Sequence, residues 1–105
     1  MLEVWMKFKL FICGDNASSN LAVLNARRLM NGLSGNHHEL EIIDVLESPE
    51  RADEARILAT PTLIKEEPAP LRMLVGDLSD LQRVRAVLQL PSAKRLAEND
   101  GGLND

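Results

Sequence analysis

Ten residues, RILATPTLIK from Arg56 to Lys65, constrain the fold more than any other stretch. Ile57, Leu58, Leu63 and Ile64 read as a buried apolar run, yet Pro61 stands in the middle of it. A proline has no N–H to give to a sheet ladder, so within sheets it is confined to an edge, a bulge or the first position of a strand. A strand that starts at Pro61 loses no central ladder bond. The residues before it then form the connection leading in.

The hydrophobic pattern orders the rest of the chain around that strand. KFKLFIC, residues 7–13, alternates and then becomes continuously apolar, as a strand entering a covered sheet does. GDNASSN follows, with Ser18 or Ser19 expected as the N-cap of a helix. Leu21, Leu24, Ala22, Ala26, Leu29 and Leu33 recur at helical spacing, with Asn25, Arg27 and Arg28 assigned to the wet side and the glycines of NGLSGN to the stop. ELEIIDVL, residues 39–46, predicts a second strand, one right-handed crossover from the first and parallel to it. Ser48 then caps a short helix with Pro49 at its first position, and Glu50, Asp53 and Glu54 lie early in it.

PTLIKE and LRMLVG are close enough to pair as an antiparallel hairpin across a turn at Glu67 to Pro70. Ser79 and Gln82 have capping-box spacing, and Leu78, Leu81, Val84 and Leu88 follow a helical period that Pro91 is expected to end. The order is βαβαββα: a thioredoxin-like α/β single domain with a mixed sheet, over residues 1–92. Residues 93–105 form a polar, glycine-rich tail expected to be loose.

At 105 residues there is room for one core and not for two, and the 45% hydrophobic and 27% charged composition is ordinary for a chain that folds without a metal or disulfide staple. A formal charge of −4, with Trp5, Phe8 and Phe11 as the aromatic residues, argues against nucleic acid as a partner. The apolar N-terminal stretch is broken by Glu3, Lys7 and Lys9, so neither a signal peptide nor a membrane span is expected. A lone cysteine, Cys13, agrees with a reducing compartment, and a cytoplasmic location is expected.

KLFICGD, IIDVLESPE, RILATPTLIK, PAPLR and VGDLSD, in this order and spacing over about Lys7 to Leu90, resemble the KaiB family of clock and clock-related proteins and the sensor domain of some KaiC-interacting histidine kinases. The resemblance implies a non-enzymatic regulator without a cofactor that docks on the hexameric ATPase KaiC, in circadian-type timing or stress adaptation. It implies further partners, a histidine kinase or a KaiA-like regulator, and self-association to a dimer or tetramer. It also implies an alternative ground-state fold of the C-terminal half, which requires two packings within a few kcal/mol of each other.

By the same resemblance, Arg56, Lys65 and Arg72 match basic residues that meet KaiC, and Thr60-Pro61 matches the cis-proline of thioredoxin-like folds. Leu21 and Met73 stand where clock members have arginines, so a different partner is one alternative. Val87 and Gln89 replace glycine and aspartate near the last helix. Both are better helix formers, so they are expected to strengthen that helix and favour the thioredoxin-like fold.

Other constellations have plainer readings. Cys13 opens a CxxN pattern near where thioredoxins carry a redox pair, but dithiol chemistry needs a second thiol that the chain lacks. A monothiol redox protein or sensor is the alternative to the preferred reading, a buried core thiol. His37 and His38 are adjacent, point to opposite faces if in a strand, and are expected as loop-edge residues with no metal role. The seven carboxylates between Glu39 and Glu54 fit a solvated face, and GDNASSN lacks the lysine of a nucleotide loop. Taken singly, Arg56, Lys65 and Arg72 are ordinary surface charges.

Overall fold

The computed structural model describes residues 5–33 and 37–90. Seven elements follow in the expected order: β1 (Trp5–Ile12), α1 (Ala17–Asn31), β2 (His37–Asp44), α2 (Pro49–Glu54), β3 (Thr62–Glu67), β4 (Arg72–Val75) and α3 (Leu81–Leu88). The four strands form one sheet in the order β2-β1-β3-β4. β1 and β2 run parallel, while β1–β3 and β3–β4 are antiparallel, with Leu10 opposite Ile42 on one side and Leu63 on the other.

Strand alternation splits the core into two layers. Met6, Phe8, Leu10 and Leu63 face α1 and α3, where Ala22, Ala26, Leu29, Val84 and Leu88 meet them. Phe11, Ile43 and Ile64 face the other way and pack with Ala52, Ala55 and Ile57 around α2. Fully burying side chains such as Phe8, Leu10, Leu29 and Leu63 contributes roughly 1.5–3 kcal/mol each relative to exposure. The larger layer lies under the two longer helices, so the α2 side is thinner.

Several boundaries differ from the sequence reading. The N-cap of α1 is Asn16, whose Oδ1 accepts from the Ser19 N–H at 2.8 Å; Ser19 lies inside the helix and is buried. The buried stripe of α1 centres on Ala22, Ala26 and Leu29, whose small members let the helix approach the sheet. Leu21 and Leu24 are therefore exposed. Asn25, assigned to the wet side, is buried instead, because its Nδ2 donates to the Asp77 carbonyl at 2.9 Å and so loses no hydrogen bond on leaving water. His37 and His38 open β2 rather than lying in a loop, and Trp5 stacks at a tilt on His37 with ring centroids 5.4 Å apart.

The last helix departs in the same way. Its N-cap is Asp80, which accepts from the Arg83 N–H at 3.2 Å, and Ser79 stands outside it. Val87 belongs to the final turn and packs against the core, but Gln89 lies beyond the helix in the left-handed conformation, φ 58°. There the Gln89 N–H reaches the Ala86 carbonyl and the Leu90 N–H the Arg85 carbonyl, the paired bonds of a Schellman closure. Gln89 thus terminates α3 rather than reinforcing it. The expectations for Pro91 and the 93–105 tail fall outside the described residues.

Candidate interaction surface

The connection from α2 to β3 is built by backbone geometry. α2 closes with a second Schellman pair: Arg56 N–H to the Asp53 carbonyl at 3.0 Å and Ile57 N–H to the Ala52 carbonyl at 2.9 Å. Ile57 thereby tucks into the thinner core layer, while Arg56, at φ 58°, occupies the left-handed position that glycine usually takes and stays exposed. Leu58 follows and is 98% exposed. The Thr60–Pro61 bond is cis, Thr62 Oγ1 donates to the Ala59 carbonyl at 2.6 Å, and the Pro61 carbonyl accepts from the Gly76 N–H at 2.9 Å. Pro61 precedes β3, which begins at Thr62, so no ladder donor is missing.

At the far end of the hairpin the three basic residues part company. Lys65 and Arg72 are register partners, but Arg72 is exposed whereas Lys65 is only 3% exposed. Lys65 is therefore not the surface charge that the sequence suggested. Its Nζ donates to the Pro68 carbonyl at 2.7 Å and to the Pro70 carbonyl at 3.3 Å, within a turn whose Glu67–Pro68 and Ala69–Pro70 bonds are both cis. Burial pushes the Lys65 pKa below its ordinary value, and neighbouring Arg72 pushes it the same way. Arg56 lies before β3 and Lys65 and Arg72 at its other end, so the three do not form a cluster. Two exposed guanidinium groups instead bracket the hairpin.

Between them, β4 is an edge strand with Met73 and Val75 42% and 55% exposed, and Leu71 before it is also exposed. The sequence pattern assigns these apolar residues to strands without marking them as surface. Their signal was available in retrospect: a hairpin at the end of a sheet has one side uncovered. The result is a mixed strip along the edge. Arg56 and Leu58 precede β3 at one end, and Met73 and Val75, opposite Ile64 and Thr62, stand on the α2 face of β4. Leu71 and Arg72 lie at the turn end, with Arg72, opposite Lys65, on the other face.

Cys13 follows directly after β1; it is half-buried rather than the fully buried core thiol expected from the sequence, and its sulfur is in no disulfide. Its carbonyl accepts from Asn16 Nδ2 at 2.8 Å, its N–H donates to Ser19 Oγ at 3.2 Å, and Asn16 already takes the Ser19 N–H at the start of α1. Asp44 adds a further tie: Oδ1 accepts from the Gly14 N–H at 3.0 Å and from the Leu46 N–H at 2.9 Å. The loop that carries a redox pair in a thioredoxin is here bound up in structural hydrogen bonds. Among the described residues no group of three or more His, Cys, Asp or Glu side chains gathers to hold a metal, and no helix is long and apolar enough to cross a membrane.

The KaiB domain model matches residues 9–90, which takes in all of this geometry except the first residues of β1. The chain belongs to the KaiB family. A KaiB relative, the circadian clock protein KaiB3 of Synechocystis sp., is 43% identical over 76 residues, covering 72% of this chain and 74% of that protein. Among solved structures, the N-terminal domain of SasA from Synechococcus elongatus superposes with a TM-score of 0.66 at 24% identity, over 85% of this KaiB-family chain and 88% of that domain. Mitochondrial thioredoxin 3 of Saccharomyces cerevisiae, in its oxidized form, gives a TM-score of 0.65 at 17% identity, over 81% and 78% of the two chains. These two likenesses are of fold, and they make the KaiB-family chain thioredoxin-like in this form.

Proposed function

We propose that this chain is a non-enzymatic clock-type regulator that docks on a KaiC-type hexameric ATPase and alters its activity or signalling output, using the strip from Arg56 to Arg72. Membership of the KaiB family supports the partner class, and the name of its Synechocystis relative supports a timing role. The observation that carries the choice of surface is Arg56. A non-glycine residue in the left-handed region costs about 1 kcal/mol of backbone energy, which is tolerated where a side chain is needed. Arg56 occupies such a position, exposed, at the end of α2; Gln89 does so at the end of α3, and what sets Arg56 apart is its charge and the exposed Leu58 two residues on, beside the start of β3.

The division of labour follows from the chemistry of the strip. Arg56 and Arg72 supply orientation and association rate toward an acidic surface, while Leu58, Leu71, Met73 and Val75 supply apolar contact. Met73 and Leu21 are exposed where the family resemblance has arginines, which favours a KaiC-type partner with a more apolar contact area than that of clock members. Capture by the purified KaiC-type ATPase of the same organism tests the reading, with Arg56→Glu expected to weaken it and undiminished capture by that variant counting against it.

A further inference from the structure

Lysine is almost never fully buried unless its charge is paired. Lys65 is 3% exposed, and among the described residues no carboxylate pairs with it. Its ammonium is instead held by two carbonyls of its own hairpin, Pro68 O at 2.7 Å and Pro70 O at 3.3 Å. Phe8 stands beside it in the register on one side and Arg72 on the other. Like charges directly opposite on a sheet repel, so the Lys65–Arg72 pairing persists against a cost. The carbonyl bonds offset that cost, since hydrogen bonds in which one partner is charged are the stronger kind.

We propose that Lys65 is a positioning residue: it draws the 68–70 turn onto the end of β3 and so sets where Leu71 and Arg72 stand, without itself touching the partner. This rests on the docking surface proposed above and assigns its basic residues to two different tasks. Arg56 and Arg72 meet the partner, and Lys65 acts through Arg72. The spacing fits the task, because the acceptors lie three and five residues after the lysine and Arg72 follows the second of them by two. With the ammonium gone, the two turn carbonyls lose their donor and the turn is free to move away.

The test is a double-mutant cycle on capture of the KaiC-type ATPase with Lys65→Met and Arg72→Ala, read alongside the amide chemical shifts of residues 66–72 in the free proteins. Each single variant is expected to weaken capture roughly tenfold and the double variant little more than either, because coupled residues do not add. Lys65→Met is also expected to move the turn amides. Losses that multiply to roughly a hundredfold, or turn amides that stay in place, overturn the proposal. Lys65→Arg keeps the charge but not a head small enough for the two carbonyls. It is expected to weaken capture too, and full capture by it shows a direct contact and overturns the proposal even if Lys65→Met fails to fold. If Arg72→Ala captures like the wild type, the docking surface falls, and the turn amides alone decide the role of Lys65 in the hairpin.

Discussion

Asp44 Oδ1 sits 3.0 Å from the Gly14 nitrogen and accepts its N–H, joining the end of β2 to the loop after β1 across thirty residues of sequence. The same oxygen accepts from the Leu46 N–H at 2.9 Å. One carboxylate therefore satisfies two loop donors at the end of the sheet. The left-handed Gly14, φ 72°, brings its N–H there, and a Cβ on it would lie 3.1 Å from Leu46 Cδ1.

Asp44→Ala is expected to lower stability by about 1 kcal/mol, since it leaves the partly buried Gly14 N–H without its acceptor, while the exposed Leu46 N–H turns to water. Urea unfolding measures this directly. A change within about 0.3 kcal/mol would show that water replaces the carboxylate without loss.

Gln89 offers the opposite outcome. Its φ of 58° is a backbone state that glycine adopts freely, so Gln89→Gly is expected to raise stability by about 0.5 kcal/mol, the relief of strain being partly offset by the greater freedom of glycine in the unfolded chain. A destabilised variant in the same urea assay would mean that the Gln89 side chain contributes more than its backbone costs.

On the α2 face of the sheet, Arg51 grips the Glu41 carboxylate with both Nη atoms, the Nη2–Oε1 distance being 2.9 Å. That hydrogen bond, above all, holds the Glu41 pKa below the ordinary carboxylate value, with the Arg51, Lys9 and Lys7 charges adding to it against a smaller opposing effect of burial. Because the folded pKa lies below the unfolded one of about 4.3, the stabilisation is fully present above that value and is lost as the pH falls through the folded pKa. Glu41→Gln is expected to flatten the stability–pH curve below about pH 4.3, and an unchanged slope there would contradict the pairing.

Element order and strand direction were legible because period-two and helical patterns are written in the apolar residues themselves, and Pro61 fixed where β3 begins. Caps were misplaced by one to three residues because Ser, Asn and Asp are near-equivalent acceptors, and backbone geometry selected Asn16 over Ser18 or Ser19 and Asp80 over Ser79. Gln89 and Arg56 were hidden for a related reason: a left-handed closure normally announces itself by glycine, and neither has one. The surface strip was the least legible part. Met73 and Val75 alternate with Arg72 and Leu74 like core residues of a strand, and only the strand order places them at an edge. The K-x-x-P-x-P spacing from Lys65 to Pro70 did carry a signal, but a lysine in an apolar strand reads as a surface charge until the turn is seen to fold back on it.

Arg56 tests the central claim most directly, because stability and binding should move in opposite directions there. In one experiment Arg56→Gly and the wild type are compared by urea unfolding and by titration with the KaiC-type ATPase. If the left-handed arginine is kept for docking, Arg56→Gly unfolds at a higher urea concentration yet binds roughly tenfold more weakly. Binding by Arg56→Gly as tight as that of the wild type would contradict a docking surface centred on the end of α2.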